Sequence, residues 1–277
     1  MPTSELFPSH SERSANYRMR VQLYGPIRLS DEFSRQAQRV IKARNANGQF
    51  FTDISLVSER QTDSIVVEYG VHAKTPESAR RVGTVYLSQL CDLLTACTQC
   101  PMQFFMEESQ AREERGRNIR QPMQVSRILS QEEWLWVTGS LVALREHHPR
   151  YLAAASWYRK GLIGNDVLDD FCCYWRVIER LADSYADRST WEKGEGGVRK
   201  TVAQLTKDLF TGDDTPALLS DDERVKRVVK LRNDISHGNE PITVNMIENA
   251  SQELSALEQA AFSVLERMRK DKLEIRI

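Results

Sequence analysis

The spacing of apolar residues changes along the chain, and this change divides its 277 residues into two kinds of structure. Up to about residue 106, segments with apolar side chains at every second position alternate with segments at helical spacing. After Ser126, apolar residues recur three and four positions apart throughout. Alternation predicts half-buried strands, and the longer period predicts amphipathic helices. We therefore expect an α+β protein whose C-terminal half is entirely helical.

The N-terminal half predicts the element order β-α-β-β-α-β. Four segments have the alternation of strands: residues 18–24, 51–57, 65–71 and 102–106. Ser30 is expected to cap the first helix, on which Phe33, Ala37, Val40 and Ile41 share one face. Pro76 is expected in the first turn of the second helix. This order is typical of a ferredoxin-like, or split βαβ, domain.

The domain boundary is expected where charged residues alternate in sign without an apolar stripe. The predicted divisions are a flexible N-terminus at 1–16, an α+β domain at 17–110, a charged linker at 111–127 and an all-α bundle at 128–277. Six helices are predicted in the bundle. Ser130 and Glu133 are expected to form a capping box for the first of these helices, and Asn165 is expected to cap the third. The fifth helix is expected to run from about Asp221 to His237.

The charge balance excludes some classes of partner. Lys and Arg number 38 against 39 Asp and Glu, which argues against a nucleic-acid coat or a polybasic membrane protein. The first 127 residues carry a charge of +3 and the remainder −4. No apolar stretch reaches the length of a membrane span, and no secretory signal is visible. With five cysteines, an odd number, the sequence predicts a soluble cytoplasmic protein without a disulfide framework.

Two weak motifs are better explained as ordinary structure. Residues 194–201 include a glycine-rich run, but Arg199 stands where a phosphate loop needs glycine before its lysine, so a helix connector is favoured. Cys97 and Cys100 form a single CxxC pair without the second pair of a zinc site. We interpret them as core or helix-end cysteines, with a redox role left open. No metal and no cofactor is predicted.

One segment combines arginine, asparagine and histidine at the end of the fifth helix, namely Leu231-Arg-Asn-Asp-Ile-Ser-His-Gly238. It resembles the Arg-x4-His signature of the HEPN superfamily, and in particular the HEPN domains that accompany the abortive-infection protein ApeA. Residues 157–162 and 171–181 are similar to earlier helices of that group. The resemblance covers about residues 128–277. The segment Val21-Gln-Leu-Tyr-Gly25 loosely resembles the start of MauJ-type methylamine-utilisation proteins.

The HEPN resemblance implies a metal-independent endoribonuclease that acts as a homodimer, with Arg232 and His237 of two protomers in a composite site. The residue types suit this chemistry. Histidine exchanges protons near neutral pH, and arginine holds phosphate oxygens through its fork of donors. Asn233 is expected to orient the ribose or the histidine, and Asp234 is a further supporting candidate.

Helical geometry separates the two signature residues. At about 100° per residue, Lys226, Lys230, Asn233 and His237 form one polar stripe, whereas Arg232 lies about 140° from His237. Either the end of the helix distorts or a second protomer completes the site, and we favour the dimer. Arg232 also needs a counter-charge on the apolar side, for which Glu179 is the candidate. Lys226, Lys230 and Arg227 are the expected RNA contacts.

The leading hypothesis is therefore a ribonuclease in phage defence or a toxin-like response. A regulatory protein partner is expected on the N-terminal domain. Two alternatives remain open: a non-catalytic homodimeric module that binds a nucleotide, RNA or protein, and an accessory factor whose helical surface is an interface.

Overall fold

The computed structural model describes residues 15–30, 33, 37–44, 50–59, 64–105, 127–192, 196–238, 241–273 and 275. Its strands are β1 (Ala15–Tyr24), β2 (Ile27–Leu29), β3 (Ala37–Arg44), β4 (Phe50–Glu59), β5 (Ser64–Ala73), β6 (Gln103–Phe105) and β7 (Arg127–Leu129). Its helices are α1 (Pro76–Thr98), α2 (Gln131–His147), α3 (Pro149–Ile163), α4 (Val167–Tyr185), α5 (Val198–Leu209), α6 (Asp222–His237) and α7 (Val244–Arg267). The protein is thus α+β, as the sequence predicts.

Five of these strands form one antiparallel sheet in the order β3-β4-β5-β1-β6, and β2 pairs with β7 in a short parallel pair. The predicted hairpin of β4 and β5 is confirmed. On β5, Val67, Tyr69 and Val71 are buried, as is Val82 on α1. A Cβ atom on Gly83 of α1 would lie 2.5 Å from the hydroxyl oxygen of Tyr69, so glycine permits this close contact of helix and sheet.

The predicted first helix is wrong, because Ala37–Arg44 form strand β3. Val40 and Ile41 are β-branched, and a short amphipathic segment fits either element. Pairing decides the outcome: β3 satisfies the free backbone edge of β4, with a register shift between Val40 and Ala43. Over the described residues, strands β1 to β5 precede the first α-helix, so the order is not the ferredoxin-like β-α-β-β-α-β.

The helix boundaries of the C-terminal half follow local capping signals. Ser130 Oγ accepts a hydrogen bond from the Glu133 amide at 3.1 Å, and Glu133 accepts one from the Ser130 amide at 2.9 Å, which confirms the capping box. The predicted cap at Asn165 is one residue early. Asp166 is the N-cap of α4, because its carboxylate accepts hydrogen bonds from the amides of Leu168 and Asp169.

The chain forms two compact units that divide it differently from the predicted domains. One unit comprises residues 1–91 and 102–142, and the other comprises 92–101 and 143–277. The end of α1 therefore belongs to the helical unit, where Asp92 binds Arg159 of α3 at 2.6 Å. Residues 106–126, which include most of the predicted linker, and residues 1–14 of the predicted flexible N-terminus lie outside the described residues. No described helix combines the length and apolar character that crossing a membrane requires.

Helix α4 is central to the helical unit and packs against α3, α5, α6 and α7. Its buried residues include Trp175, Ile178 and Leu181, which form part of the unit's core. A Cβ atom on Gly161 of α3 would lie 2.6 Å from the ring of Tyr174, so α3 and α4 approach closely at this glycine. Since one face of α4 is fixed in the core, its charged residues are held on the remaining surface.

Candidate functional site

Helix α6 carries the Arg-x4-His segment and is regular along its whole length. Asp221 caps its N-terminus through a 3.0 Å hydrogen bond from the Arg224 amide. Gly238 ends it in the left-handed conformation, with a φ of 59°, which glycine adopts without a steric penalty. The helix continues through His237, so the distorted helix end considered above is not observed.

Arg232 is held in place by two hydrogen bonds. Its guanidinium donates to Glu179 Oε2 of α4 at 2.5 Å and to Asn233 Oδ1 at 2.9 Å. The side chains of Arg232 and Glu179 are only 19% and 23% exposed, so their charges meet in a largely desolvated contact. This contact confirms the predicted pairing with Glu179. Asn233 binds Arg232 in this structure, whereas the sequence led us to expect it near the ribose or His237.

One turn after Arg232, Ser236 also meets α4. Its Oγ lies 3.7 Å from Cys172 Sγ. Burial raises the pKa of the Cys172 thiol, and the Ser236 hydrogen bond and the charges of Arg176 and Arg232 oppose this effect only in part. A thiol with a raised pKa is a poor nucleophile at neutral pH, so Cys172 is a packing residue in this site.

The other predicted site residues lie on different sides of α6. His237, Lys226, Arg227 and Lys230 are exposed. Arg227, Lys230 and Asp234 line a cavity of about 510 Å³ between α6 and α7, so Asp234 faces a different cavity from Arg232. Lys226 instead pairs with Glu223 on its own helix at 3.3 Å. The structure therefore separates the predicted RNA contacts from Arg232, and it leaves His237 at the free end of the helix.

The side chain of Arg232 lines a cavity of about 540 Å³. Its described lining includes four arginines and two acidic residues: Arg176, Arg180, Arg188, Arg232, Glu179 and Asp183. The cavity is also lined by Trp157 and by two glycines that lie just before α5, Gly196 and Gly197. Asp183 accepts a hydrogen bond from Arg188 at 3.0 Å, as Glu179 does from Arg232. We call this space the arginine cavity.

Sequence reasoning missed most of the arginine cavity. Arg176 and Arg180 are four residues apart on α4, a spacing that places two cations on one helix face and could have been noticed. Residues 196 and 197 belong to the glycine-rich run that was set aside for lack of a phosphate-loop pattern. That these two segments meet beside Arg232 depends on the packing of α4, α5 and α6, for which the sequence carries no local signal.

A second cavity, of about 410 Å³, lies beside Ser236, and acidic residues outnumber basic ones in its described lining. Its charged lining consists of Asp166, Asp169 and Asp170 together with Lys160 and Arg176. Burial, followed by the neighbouring charges of Asp166 and Asp169, raises the pKa of Asp170 from 3.8 to about 6. The three carboxylates outnumber the two cations, so the net charge of the described lining disfavours RNA.

The raised pKa of Asp170 makes stability depend on pH. The folded state binds this proton more tightly than the unfolded state does, so the contribution of Asp170 is fully present below about pH 4 and is lost as the pH rises through about 6. We expect Asp170→Asn to raise the free energy of unfolding at about pH 7 and to leave it unchanged at about pH 4. Urea unfolding at both pH values measures this difference.

Asp213→Asn, which alters an exposed carboxylate, is the control and should change stability little at either pH. An Asp170→Asn protein that is less stable than wild type at neutral pH would contradict the expected sign. Such a result would mean that the carboxylate makes a favourable interaction with the first turns of α4 that outweighs its burial.

Comparison with known proteins gives no relative from which the role of the site could be inferred. No family model matches the chain, and neither the curated proteins nor the solved structures contain a match. In the part of the chain that the structure describes, no group of three or more His, Cys, Asp or Glu side chains has the arrangement of a metal site. We therefore infer the role of the site from the geometry of α4, α5 and α6.

Proposed function

We propose that this protein is a metal-independent endoribonuclease of the HEPN type, acting as a homodimer with a composite site. One observation carries the proposal: Arg232 is fixed against α4, while His237 is exposed at the end of the same unbroken helix. Two side chains about 140° apart on one straight helix do not converge on one phosphate. A two-fold axis beside the end of α6 would bring Arg232 of one protomer to His237 of the other.

The reaction assigned to these residues is cleavage of RNA by transesterification, in which the phosphorus is transferred from the 5′-oxygen of one nucleotide to the 2′-oxygen of the preceding one. The 2′-oxygen bonds to phosphorus as the bond to the 5′-oxygen breaks, which leaves a 2′,3′-cyclic phosphate and a 5′-hydroxyl. His237 takes the proton of the 2′-hydroxyl and returns it to the leaving 5′-oxygen. Arg232 binds the non-bridging oxygens, whose negative charge grows in the transition state.

Glu179 and Asn233 act through Arg232. Their hydrogen bonds fix two sides of the guanidinium, so that its orientation is set before RNA binds. Arg227 and Lys230 remain the proposed contacts to the RNA backbone, since both are exposed cations on α6. With only a few such cations, cleavage should weaken moderately with added salt.

A specific observation favours one alternative, the non-catalytic dimeric module. The charge of Arg232 is neutralised by Glu179 within the same chain, as it would be if the pair only stabilised the packing of α6 on α4. In that case RNA or a nucleotide would bind without being cleaved.

The test is incubation of purified protein with mixed RNA in the presence of EDTA. We expect cleavage that persists in the chelator and leaves 2′,3′-cyclic phosphate ends, accompanied by a dimeric mass in solution. RNA binding by an intact dimer that cleaves nothing would support the non-catalytic module. A monomer that cleaves RNA would contradict the composite site.

We further propose that the protein works in a reducing, cytoplasmic setting, which is consistent with its five free cysteines. A role in phage defence or in a toxin-like response and a regulatory protein partner for the N-terminal unit remain part of the proposal. Both depend on the ribonuclease activity and are tested after it.

A further inference from the structure

Among the residues that the structure describes, the lining of the arginine cavity has more positive charge than its carboxylates neutralise. Arg232 and Arg188 are paired with Glu179 and Asp183. Arg176 and Arg180 have no carboxylate partner among the described residues, and both side chains are half-buried. Removing arginine from water without a counter-charge is unfavourable, so such residues are usually paired or bind a ligand. The arginine cavity thus presents two cations of α4 that form no ion pair with a described residue, and one of them, Arg176, also borders the second cavity with its three aspartates.

Arg176 is also held in a fixed orientation. Its guanidinium carbon lies 4.4 Å from the centroid of the Trp157 ring, the geometry of a cation–π contact. Stacking on an aromatic ring leaves the N–H groups at the guanidinium edge available for an oxyanion. Because the side chain is already ordered, little conformational entropy is lost when a ligand binds.

The size of the cavity and its uncharged lining limit the ligand. About 540 Å³ is far more than inorganic phosphate needs and is within the range of sites for molecules the size of a nucleotide. Ala182, Val198 and Val202 give the wall an apolar part, and Thr201 adds a hydroxyl. The ligand therefore combines a compact anion with a larger, less polar body.

We propose that the arginine cavity binds a nucleoside 5′-monophosphate group, with the phosphate on Arg176 and Arg180. A phosphomonoester carries a charge of about −1.5 to −2 at neutral pH, which matches two unpaired arginines better than the single charge of an internal phosphodiester. This chemistry is available from a free nucleotide or from the 5′-phosphorylated end of an RNA. Binding at this cavity does not depend on RNA cleavage. The proposed ribonuclease reaction leaves 5′-hydroxyl ends, so the products of that reaction lack the 5′-phosphate that this cavity recognises.

Calorimetric titration of the full-length protein tests the proposal with AMP and adenosine as probes. We expect AMP to bind at least about tenfold more tightly than adenosine, because charge-assisted hydrogen bonds to the phosphate supply the difference. A short RNA with a 5′-phosphate and the same RNA with a 5′-hydroxyl distinguish the two sources. Preference for the phosphorylated RNA over AMP identifies an RNA end, and the reverse identifies a free nucleotide. Equal binding of AMP and adenosine, or binding of neither, would overturn the proposal.

Substitutions assign the binding to this cavity. Arg180→Gln is expected to weaken AMP binding about tenfold, and Arg180→Lys, which keeps the charge but not the fork, should fall between it and wild type. Arg150→Gln alters an exposed arginine of α3 outside the cavity and should leave AMP binding unchanged. If Arg180→Gln and Arg176→Gln bind AMP as Arg150→Gln does, the cavity is not the site. Loss of AMP binding with persistent RNA cleavage, or the reverse, separates this proposal from the ribonuclease.

Discussion

Mixing Arg232→Ala protomers with His237→Ala protomers is expected to restore RNA cleavage that neither variant has by itself. Each substitution alone should lower cleavage by about 10²–10⁴-fold, the usual effect of losing a proton-transfer or charge-stabilising group. In a mixed dimer, one composite site lacks both residues and the other has both. Random exchange of protomers in a two-fold dimer should therefore recover about a quarter of wild-type activity.

The matched control is a mixture of His237→Ala protomers with the double variant Arg232→Ala/His237→Ala. Its mixed dimers form in the same way but contain no intact site, so no activity should return. Recovery in the first mixture and not in the second would establish that the two residues act across the dimer. If mixed dimers form and the first mixture stays inactive, then either each protomer has its own site or the protein is not an enzyme of this type.

The second large effect is expected on stability. Replacing Glu179 by alanine should lower the free energy of unfolding by about 3 kcal/mol, because it leaves the guanidinium of Arg232 largely buried without a counter-charge. Arg232 Nε is already buried without a hydrogen-bond partner among the described residues, so the side chain has few alternatives. Urea unfolding of the two proteins measures the difference.

Two further variants separate the ion pair from general damage to the core. Glu179→Leu combined with Arg232→Met should recover most of the lost stability, because an apolar pair of similar volume has no buried charge. Glu223→Ala removes the carboxylate from an exposed pair on α6, whose side chains are 56% and 68% exposed, and should change stability by no more than about 0.5 kcal/mol. An equal loss in Glu179→Ala and in the double variant would show that packing, not the unpaired charge, causes the effect.

The ion pair of Arg232 is the part of the candidate site that helical geometry alone was sufficient to predict. Because a helix turns by a fixed angle per residue, the sequence placed Arg232 on the side of α6 that faces other helices and required a carboxylate there. Glu179 satisfies that requirement. Asn233 was expected to orient the ribose or His237, whereas in the structure it accepts a hydrogen bond from Arg232. Its amide can bind partners on either side, and only the position of Arg232 selects one.

The β3 segment shows the opposite case. Val40 and Ile41 fit a helix face or a strand equally well in isolation. The free edge of β4 selected the strand, and this edge exists only once β4 and β5 have paired. Likewise, the sequence indicates only that Arg176 and Arg180 share one helix face, and they become a candidate phosphate site only beside Gly197 and Arg232.

The sequence by itself determined the α+β class and the N-terminal ends of three C-terminal helices, because these depend on apolar periodicity and on capping contacts within a few residues. Ser130, Asp221 and Thr243 each bind the backbone three residues ahead, so no distant part of the chain is needed. Only the tertiary structure decided the pairing of β3 and the meeting of α4, α5 and α6 around the arginine cavity. These contacts join residues far apart in sequence, and they are selected by packing and by the satisfaction of backbone groups in the whole fold.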